Sequence, residues 1–265
     1  MRLLRIAVAA VLLFVVVGCA DRSSSVTPHN SAGPISLIGS WTVAGTDDVL
    51  RIAPNRQLSL WRTCGTLTGS WAASQDLFIG DVHGGSAPCG SPVTPGWLQA
   101  ANGYRSSGEN LEFLDRSGEL VARLISGGTP KVGPNVAASE ADPPVITAKD
   151  RTELARVPRR PATLTPVEST AIVGRWAPAT PAGKAFVEFT NDGTWTGSDG
   201  CNAHGGRWAA TPTSMLATTG MSTLIGCDGP PVARWLSHTA IAGLDDDALV
   251  LLDATGAELT RLTRS

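Results

Sequence analysis

The sequence is poor in charge, in tyrosine and phenylalanine, and in long apolar runs. Asp, Glu, Lys and Arg make up only 17% of the 265 residues, too few for the long salt-bridged helices of a coiled coil. The formal net charge is −2. Basic residues cluster only in Arg156-Val157-Pro158-Arg159-Arg160, which reads as a solvated stretch, so the electrostatic footprint of nucleic-acid binding is missing. The longest apolar run, Ile6 to Val17, has 12 residues, well short of the roughly 20 that a spanning helix needs. No G-x-S-x-G elbow occurs, which removes one common hydrolase signature. What is abundant is Gly (29) and Pro (18), the punctuation of short strands and many turns.

The N-terminus reads MRLLRIAVAAVLLFVVVGC. Two arginines followed by a short apolar core form a secretory signal. Val16-Val17-Gly18-Cys19 resembles the bacterial lipobox, which implies cleavage before Cys19 and lipidation of that cysteine. Loss of residues 1–18 removes Arg2 and Arg5 and leaves a mature charge of −4. The expectation is a chain held on a membrane, outside the cytoplasm, by its acyl chains. Residues 19–34 are small and polar, a tether.

The remainder contains a repeat. Leu37-Ile38-Gly39-Ser40-Trp41 matches Ile172-Val173-Gly174-Arg175-Trp176. Residues 50–71 lie beside 187–208, pairing Cys64 with Cys201, Gly69 with Gly206 and Trp71 with Trp208. CGSPVTPGWL beside CDGPPVARWL pairs Cys89 with Cys227 and Trp97 with Trp235. Residues 110–124 then match 248–262, and the offset drifts only from 135 to 138. The chain therefore reads as two copies, 35–126 and 168–265, joined by a Pro-rich linker over 127–167. Within the linker, Ala148 to Val157 is a candidate short helix.

In each copy, short strand-like runs flank turn residues. Ala185 to Phe189, Asn191-Asp192-Gly193 and Thr194 to Gly197 spell a hairpin. Ala248 to Leu252 and Glu258 to Leu262 spell another around Asp253 to Gly256. Between them, Pro231 opens a helical pattern with Val232, Trp235, Leu236 and Thr239 on one face, and Gly243 is the expected stop. The fold class expected is mainly β (α+β): two tandem small antiparallel β-sheet or barrel domains, each with one helix.

Cys64, Cys89, Cys201 and Cys227 leave two cysteines per copy once Cys19 is lipidated. In an exported chain such pairs oxidise. The repeat favours Cys64–Cys89 and Cys201–Cys227, closing loops of 24 and 25 residues, each able to contribute ~3 kcal/mol. A metal site of Cys201, His204 and Cys227 is disfavoured because His204 aligns with Leu67. A nucleophilic Cys201 with His204 as base fails on the same ground. His29, His83 and His238 stand alone, and Asp245-Asp246-Asp247 reads as a solvated loop.

The second copy resembles the META domain family. The resemblance rests on Ile172 to Trp176, the Phe189 to Gly193 turn, Gly200-Cys201-Asn202 with Gly206, the Thr218-Thr219-Gly220-Met221 stretch, and Cys227 before a helix and a closing hairpin. The family includes a heat-inducible bacterial outer-membrane lipoprotein linked to novobiocin resistance and secreted trypanosomatid proteins. It implies a small antiparallel β fold with one helix and no catalytic residue, with Asn202 as a turn or hydrogen-bonding residue. The first copy has Gly65 where Asn202 stands and lacks the Thr/Met stretch. The functional expectation is a non-enzymatic, lipid-anchored cell-envelope protein, tied to envelope stress, without cofactor or metal. Its partners would be the membrane and an envelope protein, glycan or lipid. Two alternatives stay open: a carrier whose tryptophans (Trp41, Trp71, Trp97 and their counterparts) line an apolar cavity, and an inhibitor of an envelope enzyme.

Overall fold

The computed structural model describes residues 33–86, 93–133, 136–179, 183–223, 225–226 and 228–265. In the first half, β1 (Gly39–Val43), β2 (Val49–Ile52), β3 (Gln57–Arg62), β4 (Gly65–Ala73) and β5 (Phe78–Gly85) form a meander. Helix α1 (Gly96–Ala100) intervenes, and β6 (Gly103–Ser107), β7 (Asn110–Leu114) and β8 (Leu120–Ser126) follow. The connecting segment holds α2 (Ala148–Leu154), β9 (Thr165–Pro166) and α3 (Ser169–Ile172). The second half repeats the pattern with β10 (Gly174–Pro178), β11 (Phe186–Phe189), β12 (Thr194–Ser198), β13 (Ala203–Thr211) and β14 (Ser214–Ala217). Helix α4 (Val232–His238), β15 (Ile241–Asp245), β16 (Ala248–Leu252) and β17 (Glu258–Arg264) complete it.

Both sheets are antiparallel and share one order. The first runs β5-β4-β3-β2-β1-β8-β7-β6, and the second runs β14-β13-β12-β11-β10-β17-β16-β15-β9. Each curls until its ends approach: Leu77 bridges Gly103, and Met215 N–H donates to the Ala240 carbonyl at 3.0 Å. Neither sheet closes into a barrel, so of the two architectures expected from the sequence the open sheet is the one found.

The aligned tryptophans do the same work in both halves. A buried indole N–H needs an acceptor. Trp41 Nε1 donates to Leu37 O at 2.9 Å and Trp176 Nε1 to Ile172 O at 2.7 Å. Trp71 Nε1 donates to Ala53 O at 2.9 Å and Trp208 Nε1 to Thr190 O at 3.1 Å. All four rings lie in the two main apolar cores, with Leu98 of α1 in one and Leu236 of α4 in the other. The tryptophans are thus packing residues. The aligned glycines are equally constrained: a Cβ on Gly69 would sit 1.8 Å from Asp81 O, and one on Gly206 would sit 2.1 Å from Thr218 O. In each sheet the next strand's carbonyl occupies the space a side chain would take.

One sequence expectation is corrected. Helix α4 stops at His238, not at Gly243. Thr239 leaves the helix in an extended conformation while its hydroxyl donates to Trp235 O at 2.8 Å. Gly243 lies in β15, where Arg160 and Leu164 of the connecting segment pass so close that a Cβ would fall 2.7 Å from Arg160 Cδ. The linker helix is α2, opened by a Thr147/Asp150 capping box.

Candidate binding crevice at the domain junction

The Asp199-Gly200-Cys201-Asn202 turn between β12 and β13 is saturated with hydrogen bonds. Asp199 Oδ1 accepts from the backbone N–H of Cys201 at 2.8 Å and of Asn202 at 2.6 Å. Its Oδ2 accepts from Asn202 Nδ2 at 3.0 Å. Gly200 supplies the turn's positive φ of 99°, cheap for glycine alone. Hydrogen bonds from the Asn202 backbone and side chain, then from Cys201, hold the Asp199 carboxyl well below the usual carboxylate range. Asn202 is buried and reaches the other way as well. Its Nδ2 donates to Ile225 O at 2.9 Å, and its Oδ1 accepts from Ile225 N at 2.7 Å and Thr223 Oγ1 at 2.9 Å. Asn202 therefore ties the turn to the long loop after β14, as a hydrogen-bonding residue and with no spare valence for chemistry.

The other residues singled out from sequence are dispersed. His204 Nε2 lies 3.4 Å from Asp199 Oδ2. Cys64 and Cys201 are disulfide-bonded. Cys19, Cys89, Cys227 and His29 lie outside the described residues. His238 Nδ1 is 2.9 Å from Arg234 O at the end of α4, and Asp245 pairs with Arg261. Among the described residues no three His, Cys, Asp or Glu side chains gather.

The structure does bring together residues that sequence reasoning passed over. The outer faces of β4–β5 and β13–β14 pack on each other. Ala72, Leu77 and Ile79 of the first sheet form one buried cluster with Ala209 and Leu216 of the second. The contact is built from equivalent positions: Ala72 pairs across its hairpin with Ile79 as Ala209 does with Leu216. At another equivalent pair, Ser70 Oγ donates to Thr219 O at 3.2 Å, and Arg207 reaches back into the first domain. Arg207 is only 7% exposed. Its guanidinium donates to Gly80 O at 2.9 Å, Leu98 O at 2.8 Å and Ala101 O at 3.3 Å. The last two are carbonyls at the C-terminal end of α1, the end that welcomes a cation. Burial pushes the Arg207 pKa down to about 10, so the group is still charged at neutral pH. Arg116 Nη1 to Asn191 O at 2.7 Å and Arg56 to Ser237 O add two further ties between the halves.

Beside this contact lies a crevice of about 620 Å³. Residues 74–76, in the β4–β5 turn, form one wall, and Pro212 and Thr213 of the β13–β14 turn, with Ser214 at the start of β14, form the other. These turns hold the same place in the two sheets. Residues 156–160 of the connecting segment and Ile241 complete the lining. Arg160 anchors that segment, donating to Leu164 O at 3.2 Å and Pro212 O at 2.5 Å. The crevice thus exists only because two domains and the linker meet. Tryptophan is absent from its lining, so the apolar-cavity expectation built on those rings does not describe it.

No curated protein and no solved structure matches the sequence. The family comparison matches residues 165–265, a span that opens on β9 and ends with the chain. Over that span, which holds the second sheet, the α4 helix and the Asn202 turn, the chain is similar to the META domain family.

Proposed function

We propose that the chain is a non-enzymatic binding protein of the cell envelope, lipid-anchored through Cys19, whose two domains act as one body and present the junction crevice to a ligand. The observation that carries this reading is the composite crevice beside a buried interdomain contact. A pocket of this size suits a small ligand, and a rigid junction keeps its walls in place. The match to the META domain family fits a non-catalytic envelope role, as does an Asn202 turn whose polar atoms are spent on holding the fold. The first domain, with the same strand order, is read as a divergent copy of the second. The disulfides are assigned as Cys64–Cys89 and Cys201–Cys227, suited to an oxidising compartment.

The test is made in an exporting bacterial host. The wild-type chain should incorporate radiolabelled palmitate and fractionate with membranes. Cys19→Ala should accumulate as an unlabelled precursor. Normal processing and membrane retention of that variant would overturn the anchor. Native mass spectrometry of the gently purified chain should show a discrete bound mass that disappears when Thr213→Trp fills the crevice. A bound mass untouched by that substitution would move the site elsewhere.

A further inference from the structure

We propose that the junction crevice binds a phosphate-bearing ligand, with the guanidinium groups of Arg156 and Arg159 as its anion contacts. This rests on the reading of the crevice as the binding site and names the chemistry of what it holds. Three arginines line the crevice against one carboxylate, Asp76. Asp76 Oδ1 already accepts from Ser74 Oγ at 2.8 Å. Arg160 is occupied by two carbonyls, which orient its charge without neutralising it. Among the described residues, neither the Arg156 nor the Arg159 side chain has a hydrogen bond or ion pair. Arg156 and Arg159 are exposed, and with Arg160 they give the crevice three cations against the single carboxylate of Asp76.

The backbone that carries them is restricted. Pro158 precedes Arg159, and Pro161 follows Arg160. Each proline fixes its own φ and confines the residue before it, so the segment is pre-set in an extended form and pinned at Arg160. Three cations against one carboxylate leave the crevice with a net positive charge, which attracts an anion. The planar fork of a guanidinium matches the oxygens of a phosphate group, and two such forks match a dianion better than a single carboxylate. Val157, Pro158 and Pro212 give the same crevice apolar wall. The ligand is thus a phosphate ester with carbon next to the charged group, whether from a soluble ester or from a lipid headgroup.

The test is isothermal titration of the full mature chain, purified in detergent with its disulfides intact. The probes are inorganic phosphate, glycerol phosphate and a short-chain phosphatidylglycerol. Saturable binding of glycerol phosphate, weakened at least about tenfold in Arg156→Gln/Arg159→Gln, is expected, and unchanged affinity in that variant would overturn the proposal. Equal affinity for glycerol phosphate and the lipid assigns a soluble ester, whereas much tighter lipid binding assigns a headgroup. Either result supports the phosphate chemistry. Absence of saturable binding by all three probes overturns it. A natively bound mass that lacks phosphorus, yet is lost in Thr213→Trp, also overturns it while leaving the crevice itself as the site. The titration does not depend on Cys19, so failure of the lipid anchor is read separately.

Discussion

Replacing Arg207 by leucine should uncouple the two domains. The side chain is buried and donates three hydrogen bonds to backbone carbonyls of the other domain. A hydrogen bond to a charged group contributes about 1.5–3 kcal/mol. Leucine also relieves the desolvation of the cation, which returns several kcal/mol. Against that, Leu98 O and Ala101 O at the end of α1 are left buried without a donor, at about 1–3 kcal/mol each. The net expected loss is about 3 kcal/mol, or a fall in Tm of roughly 6–12 °C for a chain of this size. The assay is urea unfolding followed by tryptophan fluorescence, with each sheet reporting through its own rings. Wild type should unfold in one transition and Arg207→Leu in two. Ser70→Ala, at the equivalent position with one neutral hydrogen bond, should cost about 0.5–1 kcal/mol and keep the single transition. A single wild-type-like transition in Arg207→Leu, within about 0.5 kcal/mol, would refute the claim that this arginine holds the junction.

Gly206→Ala should destabilise the second sheet by about 3 kcal/mol, because the new methyl meets Thr218 O and the strand has to move; thermal melting reads this directly. Asp199 should make the turn acid-sensitive. Its pKa is lower in the folded chain than in the unfolded chain. Its contribution is therefore complete above the unfolded value of about 4 and is lost as pH falls below it toward the folded value. Protection of the Cys201 and Asn202 amides, measured against their intrinsic exchange rates, should fall across that acid window in wild type. In Asp199→Asn it should already be low at neutral pH, and a protected turn in that variant would refute the assignment.

What could be read in the sequence was local. The hairpin turns stood out because glycine and aspartate mark them: Gly193 has φ 83°, and Asp192 Oδ1 accepts from Thr194 N at 2.9 Å. The repeat was legible because tryptophan and glycine have few substitutes where an indole must find a carbonyl or where a neighbouring carbonyl fills the place of a Cβ. The domain junction was not legible, because contact between repeats leaves no periodicity of its own. Its trace was present in Ser214 to Ala217, buried at all four positions, where one covered face would give alternation. Arg207 was hidden between Gly206 and Trp208, whose roles drew the eye to the inner face of the strand. The end of α4 was misplaced because Gly243 is small for a tertiary reason, the passage of Arg160 and Leu164 over β15.

The junction also bears on how many ligands one chain holds. The contact between the domains is close to symmetric: Ala72 answers Ala209, and Ile79 answers Leu216. If binding belonged to the META fold itself, two copies would give two sites. The crevice instead takes one turn from each domain and a linker that occurs once in the chain. The linker's arginines line the crevice and break the symmetry on that side. The copies also differ where the fold is stitched: Asn202 holds its loop by four hydrogen bonds to Ile225, Thr223 and Asp199, and Gly65 has no side chain with which to do so. On the proposed reading the two halves build one composite site, and the titration that tests its chemistry should saturate at one ligand per chain. A stoichiometry of two would return the binding function to the individual domains.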